Sequence, residues 1–435
     1  MIFDDTIVAL STATGGAINI IRISGSDALA IFQRYFSKEV TRARHSYFGE
    51  FVSDGIVVDQ VVAVWFAAPN SYTGEDLVEI SCHGSRWITN EIIRLLICSG
   101  ARSANAGEFT RRAYMSGKMN LAQAEAVGDL ISSESRMAAQ VAMSQMRGGY
   151  TLEVQELRQR LLKVKSLLEL ELDFGDEDVE FAPRTELLAL LGDLRLRCVT
   201  LADSFAAGNV LRHGVPVAIV GAPNVGKSTL LNCLVGEQRA IVSDIAGTTR
   251  DYIEESIQIE GVEFRFIDTA GIRHTEDFVE AIGVERSLEM ISRARIVLQL
   301  VDCSDFERVS VTDSQQLLVI NSKMDLGVVD GCDLAISCHT GSGIEELLGM
   351  LVDCSGVQGV DLSQGVVVSN QRHYELLCRV VSSVDESISM IGDGMTADMI
   401  SFSLTDSLHH LGEITGEFTT DEVLGNIFSS FCIGK

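Results

Sequence analysis

No apolar run in the 435 residues approaches the roughly 18–20 needed to cross a bilayer, which excludes a membrane-spanning helix. Positive charge is scarce. Lys and Arg number 34 against 61 Asp and Glu, leaving a formal net charge of −27 that repels nucleic acid at long range. Any RNA must therefore be met through a local basic patch or through a partner. The 10 cysteines, scattered from Cys82 to Cys432, include no Cys-x-x-Cys pair and no adjoining His cluster. That pattern argues against zinc or disulfides and for reduced thiols. The start, Met1-Ile2-Phe3-Asp4-Asp5, lacks the positive charge of a signal peptide. No internal repeat or low-complexity tract is visible. These absences point to a soluble, cytoplasmic protein that does not engage a membrane.

What is present is ample core material. Apolar residues make up 46% of the chain, and its length suits about three domains of roughly 150 residues. Residues 1–115 alternate short β-rich runs (Ile18 to Ile23, Val61 to Phe66, Leu77 to Ile80) with a helical stretch at Ile88 to Cys98, the texture of an α+β domain. Strand signals then vanish. Over 116–212, Leu152, Leu157, Leu161, Val164, Leu168 and Leu172 mark helical periods, and the acidic run Asp173 to Glu180 before Pro183 joins two helices. Residues 213–362 place the apolar strands Val217 to Val220, Phe264 to Ile267, Ile296 to Val301 and Leu317 to Ile320 between helices, a doubly wound pattern with its ligand at the strands' carboxyl ends. Helical texture returns over 363–435. The fold expected is multidomain, with an α/β phosphate-loop (P-loop) domain inserted into an α-helical domain built from two segments.

The inserted domain carries four ordered motifs. Gly221-Ala222-Pro223-Asn224-Val225-Gly226-Lys227-Ser228, with Thr229 after it, is a phosphate-binding loop. Its glycines let backbone N–H groups wrap closely around phosphates, Lys227 reaches the β- and γ-phosphates, and the Ser228 hydroxyl suits Mg²⁺. Gly247-Thr248-Thr249-Arg250-Asp251 supplies the switch threonine, Thr249, a second Mg²⁺ candidate. Asp268-Thr269-Ala270-Gly271 closes a strand where Mg²⁺ and the γ-phosphate are sensed. Ser322-Lys323-Met324-Asp325 is the guanine-reading segment, with Ser322 where Asn or Thr is usual, and Ser337-Cys338 matches the last base-contacting loop. The ligand is GTP, and the expected activity is its hydrolysis.

One residue is missing from that machinery. The position after Gly271 is Ile272, which cannot orient a water as the Gln of small signalling GTPases does. Two replacements are visible: a carboxylate among Glu276, Asp277 and Glu280, and a monovalent cation to which Asn224 supplies an oxygen.

The last residues read Gly412-Glu413-Ile414-Thr415-Gly416-Glu417-Phe418, then Ile427-Phe428-Ser429-Ser430-Phe431-Cys432-Ile433-Gly434-Lys435. The tail makes a poor prenylation box, and the Ile427, Phe428, Phe431 stripe also reads as a docking helix. This ending strongly resembles that of the tRNA modification GTPase family MnmE, also called TrmE. So do Asp5-Thr6-Ile7-Val8-Ala9, Ile21-Arg22-Ile23-Ser24-Gly25, Tyr72-Thr73-Gly74-Glu75-Asp76, Gly107-Glu108-Phe109-Thr110 and Leu121-Ala122-Gln123-Ala124-Glu125-Ala126. The resemblance covers essentially the whole chain.

It implies a tetrahydrofolate-binding-like amino-terminal domain, a helical domain and a potassium-dependent G domain, in a homodimer that joins the flavin-dependent protein MnmG in a heterotetramer. That complex adds an aminomethyl or carboxymethylaminomethyl group to C5 of the wobble uridine of tRNA, met mainly through the partner. The carbon comes from 5-formyl- or methylene-tetrahydrofolate. By position, Arg22, Glu79, Lys118 and Lys435 match folate contacts. Asn224 of the phosphate loop matches the potassium-ligating asparagine, and Ser243, Ile245 and Thr248 match the loop that closes over the ion and includes Asp244 and Ala246. Glu280 matches the water-orienting glutamate, acting with Lys227 and Thr249. Local departures are the shortened Gly15-Gly16 stretch, Ser85 in place of Gly, and Met119-Asn120 beside Lys118. The alternative is a ribosome-assembly GTPase; such proteins usually append a basic RNA-binding domain, which the acidic helical tail does not offer.

Overall fold

A computed structural model describes residues 4–173, 183–237, 255–267, 290–302, 306–357 and 366–435. The chain divides into two units, Met1–Gly128 with Gly412–Lys435, and Asp129–Leu411.

The first unit is built on a six-stranded sheet of β1 (Ile7–Leu10), β2 (Ile18–Ser24), β3 (Ser46–Ser53), β4 (Ile56–Phe66), β5 (Leu77–His83) and β6 (Arg102–Ser103), in the order β3-β4-β5-β2-β1-β6. All neighbours are antiparallel except β1 and β6. Alternation puts Ile21, Ile23, Val61, Ala63 and Ile80 on one face, where helices Ala28–Gln33 and Arg86–Cys98 supply Ile31, Phe32, Ile92 and Leu96. Helix Glu108–Met115 brings Phe109 against Ile7, Ala9 and Leu77 in a smaller cluster. The departures seen in the sequence have local uses. Ser85 caps helix Arg86–Cys98, its hydroxyl accepting from the Ile88 N–H at 3.5 Å. Asn120 and Gln123 cap each other's backbone N–H at 2.9 and 3.1 Å, the reciprocal box that starts helix Leu121–Ser132.

Helix Asp421–Ser429 completes this unit. Leu424 and Phe428 bury against Leu121 and Ala124, and the Phe431 ring lies so close to Gly128 that a Cβ there would sit 3.0 Å from it. The stripe at Ile427, Phe428 and Phe431 is thus a docking helix. Beyond it Ile433 bridges to Ala106, and the Ser11 hydroxyl donates to the Gly434 carbonyl at 3.1 Å.

In the second unit helices Arg136–Met146, Gly149–Asp173, Arg184–Asp203 and Phe205–His213 precede a second sheet, and Gln371–Gly392 follows it. In helix Gly149–Asp173 the buried stripe is Tyr150, Val154, Leu157, Leu161, Val164 and Leu168, in alternating steps of four and three. Leu152 and Leu172 are exposed, contrary to the expected stripe, and Leu152 falls between the four-and-three steps. The acidic linker expected to join two helices lies mostly outside the described residues.

The second sheet comprises β7 (Val215–Gly221), β8 (Glu255–Ile259), β9 (Val262–Phe266), β10 (Ile296–Val301), β11 (Gln316–Asn321) and β12 (Leu334–Ala335), in the order β12-β11-β10-β7-β9-β8. All pairs are parallel except the β8–β9 hairpin. Burial of β10 is continuous over all six residues, as a parallel strand covered on both faces requires. Val141, Val210 and Leu211 from the helices share one core with this sheet. No described helix is long and apolar enough to cross a membrane.

Candidate functional site

β7, flanked by β9 and β10, delivers the phosphate loop at its carboxyl end. A Cβ on Gly221 would lie 2.5 Å from the Leu300 carbonyl oxygen, so only glycine lets the loop leave β7 this close to β10. Asn224 adopts the left-handed conformation at φ 62°, which Asn accepts more readily than most residues. The loop runs into helix Lys227–Glu237, whose first turn aims backbone N–H groups at the loop, a fit for phosphate. Lys227 Nζ donates to the carbonyls of Gly221 and Ala222, both at 2.8 Å, and burial lowers its pKa. Among the described residues it forms no ion pair. Ser228 is half-buried and Thr229 exposed on the first turn; Val225 is buried and lends its backbone.

The base-reading segment leaves β11, which runs parallel to β10 with Asn321 beside Val301. Ser322 is buried, and its hydroxyl donates to the Val225 carbonyl at 2.5 Å, with the Val301 carbonyl 3.3 Å away. Lys323 Nζ donates to the Asn224 carbonyl at 3.0 Å and pairs with Asp302 at 2.8 Å. Two adjacent residues of one loop thus tie down two adjacent carbonyls of the other. Asp325 accepts from the Ser337 hydroxyl at 2.8 Å, and that bond chiefly holds its carboxyl below the usual range. Met324 N–H donates to Ile336 at 3.0 Å, which lays the Ser337-Cys338 loop beside the base-reading one. Asp302 was not foreseen. Its signal was its place at the end of β10, level with the residue that follows β11.

The structure therefore brings together Asn224, Val225, Gly226, Lys227, Ser322, Lys323, Asp325 and Ser337. Ser243, Asp244, Ile245, Ala246, Gly247, Thr248, Thr249, Asp268, Thr269, Ala270, Gly271 and Glu280 lie outside the described residues.

A second candidate site belongs to the first unit. Arg22 on β2 faces Glu79 on β5 in register, and Arg22 Nε bonds the carboxylate at 2.8 Å. The guanidinium stands 5.7 Å from the centre of the Tyr72 ring. Tyr72 lines an open hollow of about 470 Å³ together with Arg44, Val64, Phe66, Asn70, Ser71 and Lys118. Val64 is the register partner of Glu79, so the ion pair borders the hollow. Arg22, Glu79 and Lys118 are gathered here from 97 residues of chain. Gly434, next to Lys435, lies against Leu10 and Ser11, and the neighbouring Ala9 pairs with Arg22.

A fully buried cation holds this unit together. Arg112 bonds Asp5 at 2.7 Å and Glu75 and Glu108 at 3.1 Å, while Arg102 reaches both Asp5 and Glu108 at 2.6 Å. Burial pushes the Asp5 and Glu108 carboxyls up, but the two guanidinium groups outweigh it and hold both below the ordinary range.

A phosphate loop on a mostly parallel sheet, a guanine-reading segment bonded to it, and an attached helical bundle define a P-loop protein of the GTPase class. The helical region matches the model of the MnmE helical domain over residues 121–432, and the amino-terminal region matches that of the GTP-binding protein TrmE N-terminus over residues 6–118. Over their whole length and the whole of this chain, the tRNA modification GTPase MnmE of Christiangramia forsetii is 46% identical and that of Flavobacterium johnsoniae 45%. The chain belongs to the MnmE family of tRNA modification GTPases. The G domain of the T. maritima FeoB iron transporter also aligns, at 20% identity and a TM-score of 0.23, covering 32% of this chain and 98% of that one, a likeness too slight to carry weight.

Proposed function

We propose that this chain is a potassium-dependent GTPase of the cytoplasm that acts with a flavin-dependent partner, MnmG, on C5 of the wobble uridine of tRNAs. The group added is aminomethyl or carboxymethylaminomethyl, its carbon drawn from a tetrahydrofolate derivative. What supports the reading above all is identity near one half, end to end, to proteins named as tRNA modification GTPases. The domains we assign to these roles are 1–115 for folate, 116–212 with 363–435 for the helical scaffold, and 213–362 for GTP.

In the G domain, Lys227 and the amides of the loop hold the phosphates, and Asp325 accepts the guanine N–H protons. Lys323 and Ser322 keep the base-reading segment on the phosphate loop. Ser228 and Thr249 hold Mg²⁺, which supplies charge to the β- and γ-phosphate oxygens. Asn224, Ser243, Ile245 and Thr248 hold potassium, which supplies charge beside the β/γ bridge in place of an arginine finger. Glu280 orients the attacking water in place of the missing Gln. Two copies of the domain meet across the cation, in a homodimer. In the first unit Arg22, Glu79, Lys118 and Lys435 hold the folate.

Turnover of GTP in potassium is expected to exceed turnover in sodium severalfold or more; equal rates in the two salts would remove the cation from the reading. Mass spectrometry of tRNA from cells lacking the protein should show wobble uridines without the C5 group. Unchanged wobble uridines would sink the assignment as a whole.

A further inference from the structure

Two cations line the hollow in the first unit. Arg44 and Lys118 both line it, both are exposed, and neither forms an ion pair among the described residues. In a chain of net charge −27 they set two positive charges at one hollow. The remaining wall is Val64, Phe66 and Tyr72, with Asn70 and Ser71, so apolar and aromatic surface lies beside positive charge.

Arg44 is also held in an unusual way. Its backbone sits at φ 58°, a left-handed conformation that costs a non-glycine residue free energy. Its N–H donates to the Trp65 carbonyl at 2.7 Å, and its guanidinium donates to the Asn70 carbonyl at 2.9 Å. One of the five guanidinium N–H groups is thus spent on fixing the side chain at the rim, and the planar fork keeps donors for a carboxylate.

We propose that Arg44, with Lys118, forms a subsite for the anionic tail of the ligand, and that it selects tetrahydrofolates carrying a poly-γ-glutamyl chain over the monoglutamate. The proposal rests on the folate reading of this hollow. Each further glutamate adds a carboxylate, and Arg44 and Lys118 line the same hollow as the aromatic surface.

The test is calorimetric titration of the full-length protein with 5-formyl-tetrahydrofolate as the mono- and the triglutamate. The triglutamate should bind roughly threefold to tenfold tighter, as expected for two exposed charge pairs, and the ratio should shrink in high salt. Arg44→Gly, which the left-handed backbone accepts without strain, should bring the ratio toward one, and Arg44→Lys should restore part of it. A wild-type ratio of one, or a ratio that Arg44→Gly leaves intact, overturns the subsite while monoglutamate binding leaves the folate reading standing. Failure of the wild-type protein to bind either form overturns both.

Discussion

The family-like segments serve opposite purposes in the two units. In the second, the described motif residues sit at the carboxyl ends of parallel strands and in the first turn of helix Lys227–Glu237, where the polar groups of one motif bond the backbone of another. In the first, Glu75 and Glu108 lie inside matching motifs yet point inward, and both are spent on Arg112. A matching segment therefore identifies kinship without saying whether its residues touch a ligand or hold the fold. Even within the second unit the rule divides: Ser322 occupies a base-reading position, but its hydroxyl is buried and binds the phosphate loop.

The carboxylates sharpen the contrast. Glu108 has two guanidinium groups and is held low, whereas Glu263 on β9 is pushed up to about 7, first by burial and then by the Glu134 carboxylate facing it. Glu134 precedes helix Arg136–Met146, and the Met137 N–H donates to Gly261 in the β8–β9 turn at 3.2 Å. One unit is pinned by opposite charges and the other carries a joint where two like charges meet.

The largest effect expected is on turnover. Glu280→Ala should nearly abolish GTP hydrolysis while nucleotide affinity and melting temperature hold; a rate within a few-fold of wild type would remove Glu280 from the water-orienting role. Arg112→Ala should do the reverse. Removing a buried cation from three carboxylates costs about 3–5 kcal/mol, read as a lower melting temperature of the first unit. Unaltered melting would mean that Arg112 does not pin the first unit.

The pH dependence should differ in sign between the units. Asp5 and Glu108 have depressed pKa values, so their contribution is complete above the usual carboxylate range and fades as the pH falls through and below it. Glu263 is raised, so its contribution is complete below about 4.5 and is lost as the pH rises through about 7. Hydrogen exchange from about pH 2.5 to 8 should show the first unit loosening in acid and the β8–β9 hairpin loosening toward neutral pH. Parallel trends in both would contradict these assignments. The smallest effect concerns Ser322→Ala, which removes one hydrogen bond of about 1 kcal/mol and should weaken GDP binding roughly fivefold. An unchanged dissociation constant would mean that the bond to Val225 does not position the loop.

Much of this was readable in the residues alone. The phosphate loop, the strands Ile296–Val301 and Gln316–Asn321 and the strand-free helical stretch announce themselves, because each is a local pattern of hydrophobic period, glycine and charge within a few residues. The base-reading segment was equally plain, although its Ser322 was expected to take over part of the usual Asn's contacts, and its hydroxyl bonds the Val225 carbonyl. The hollow was not legible from spacing: the family resemblance grouped Arg22, Glu79 and Lys118, but only the fold sets Arg44 and Tyr72 with Lys118 around one hollow, next to the Arg22–Glu79 pair that β2 and β5 bring into register. Nor was Asp302, whose partner Lys323 lies 21 residues on.

By itself the sequence determined the kinship, the nucleotide and the order of the elements, because those are written in contiguous motifs and periodicities. Only the tertiary structure decided which charges are buried against one another, which remain free for a ligand, and that Ser322 and Lys323 fasten two loops together. Those outcomes depend on sheet register and on distance from solvent, quantities that a linear chain does not contain until it folds.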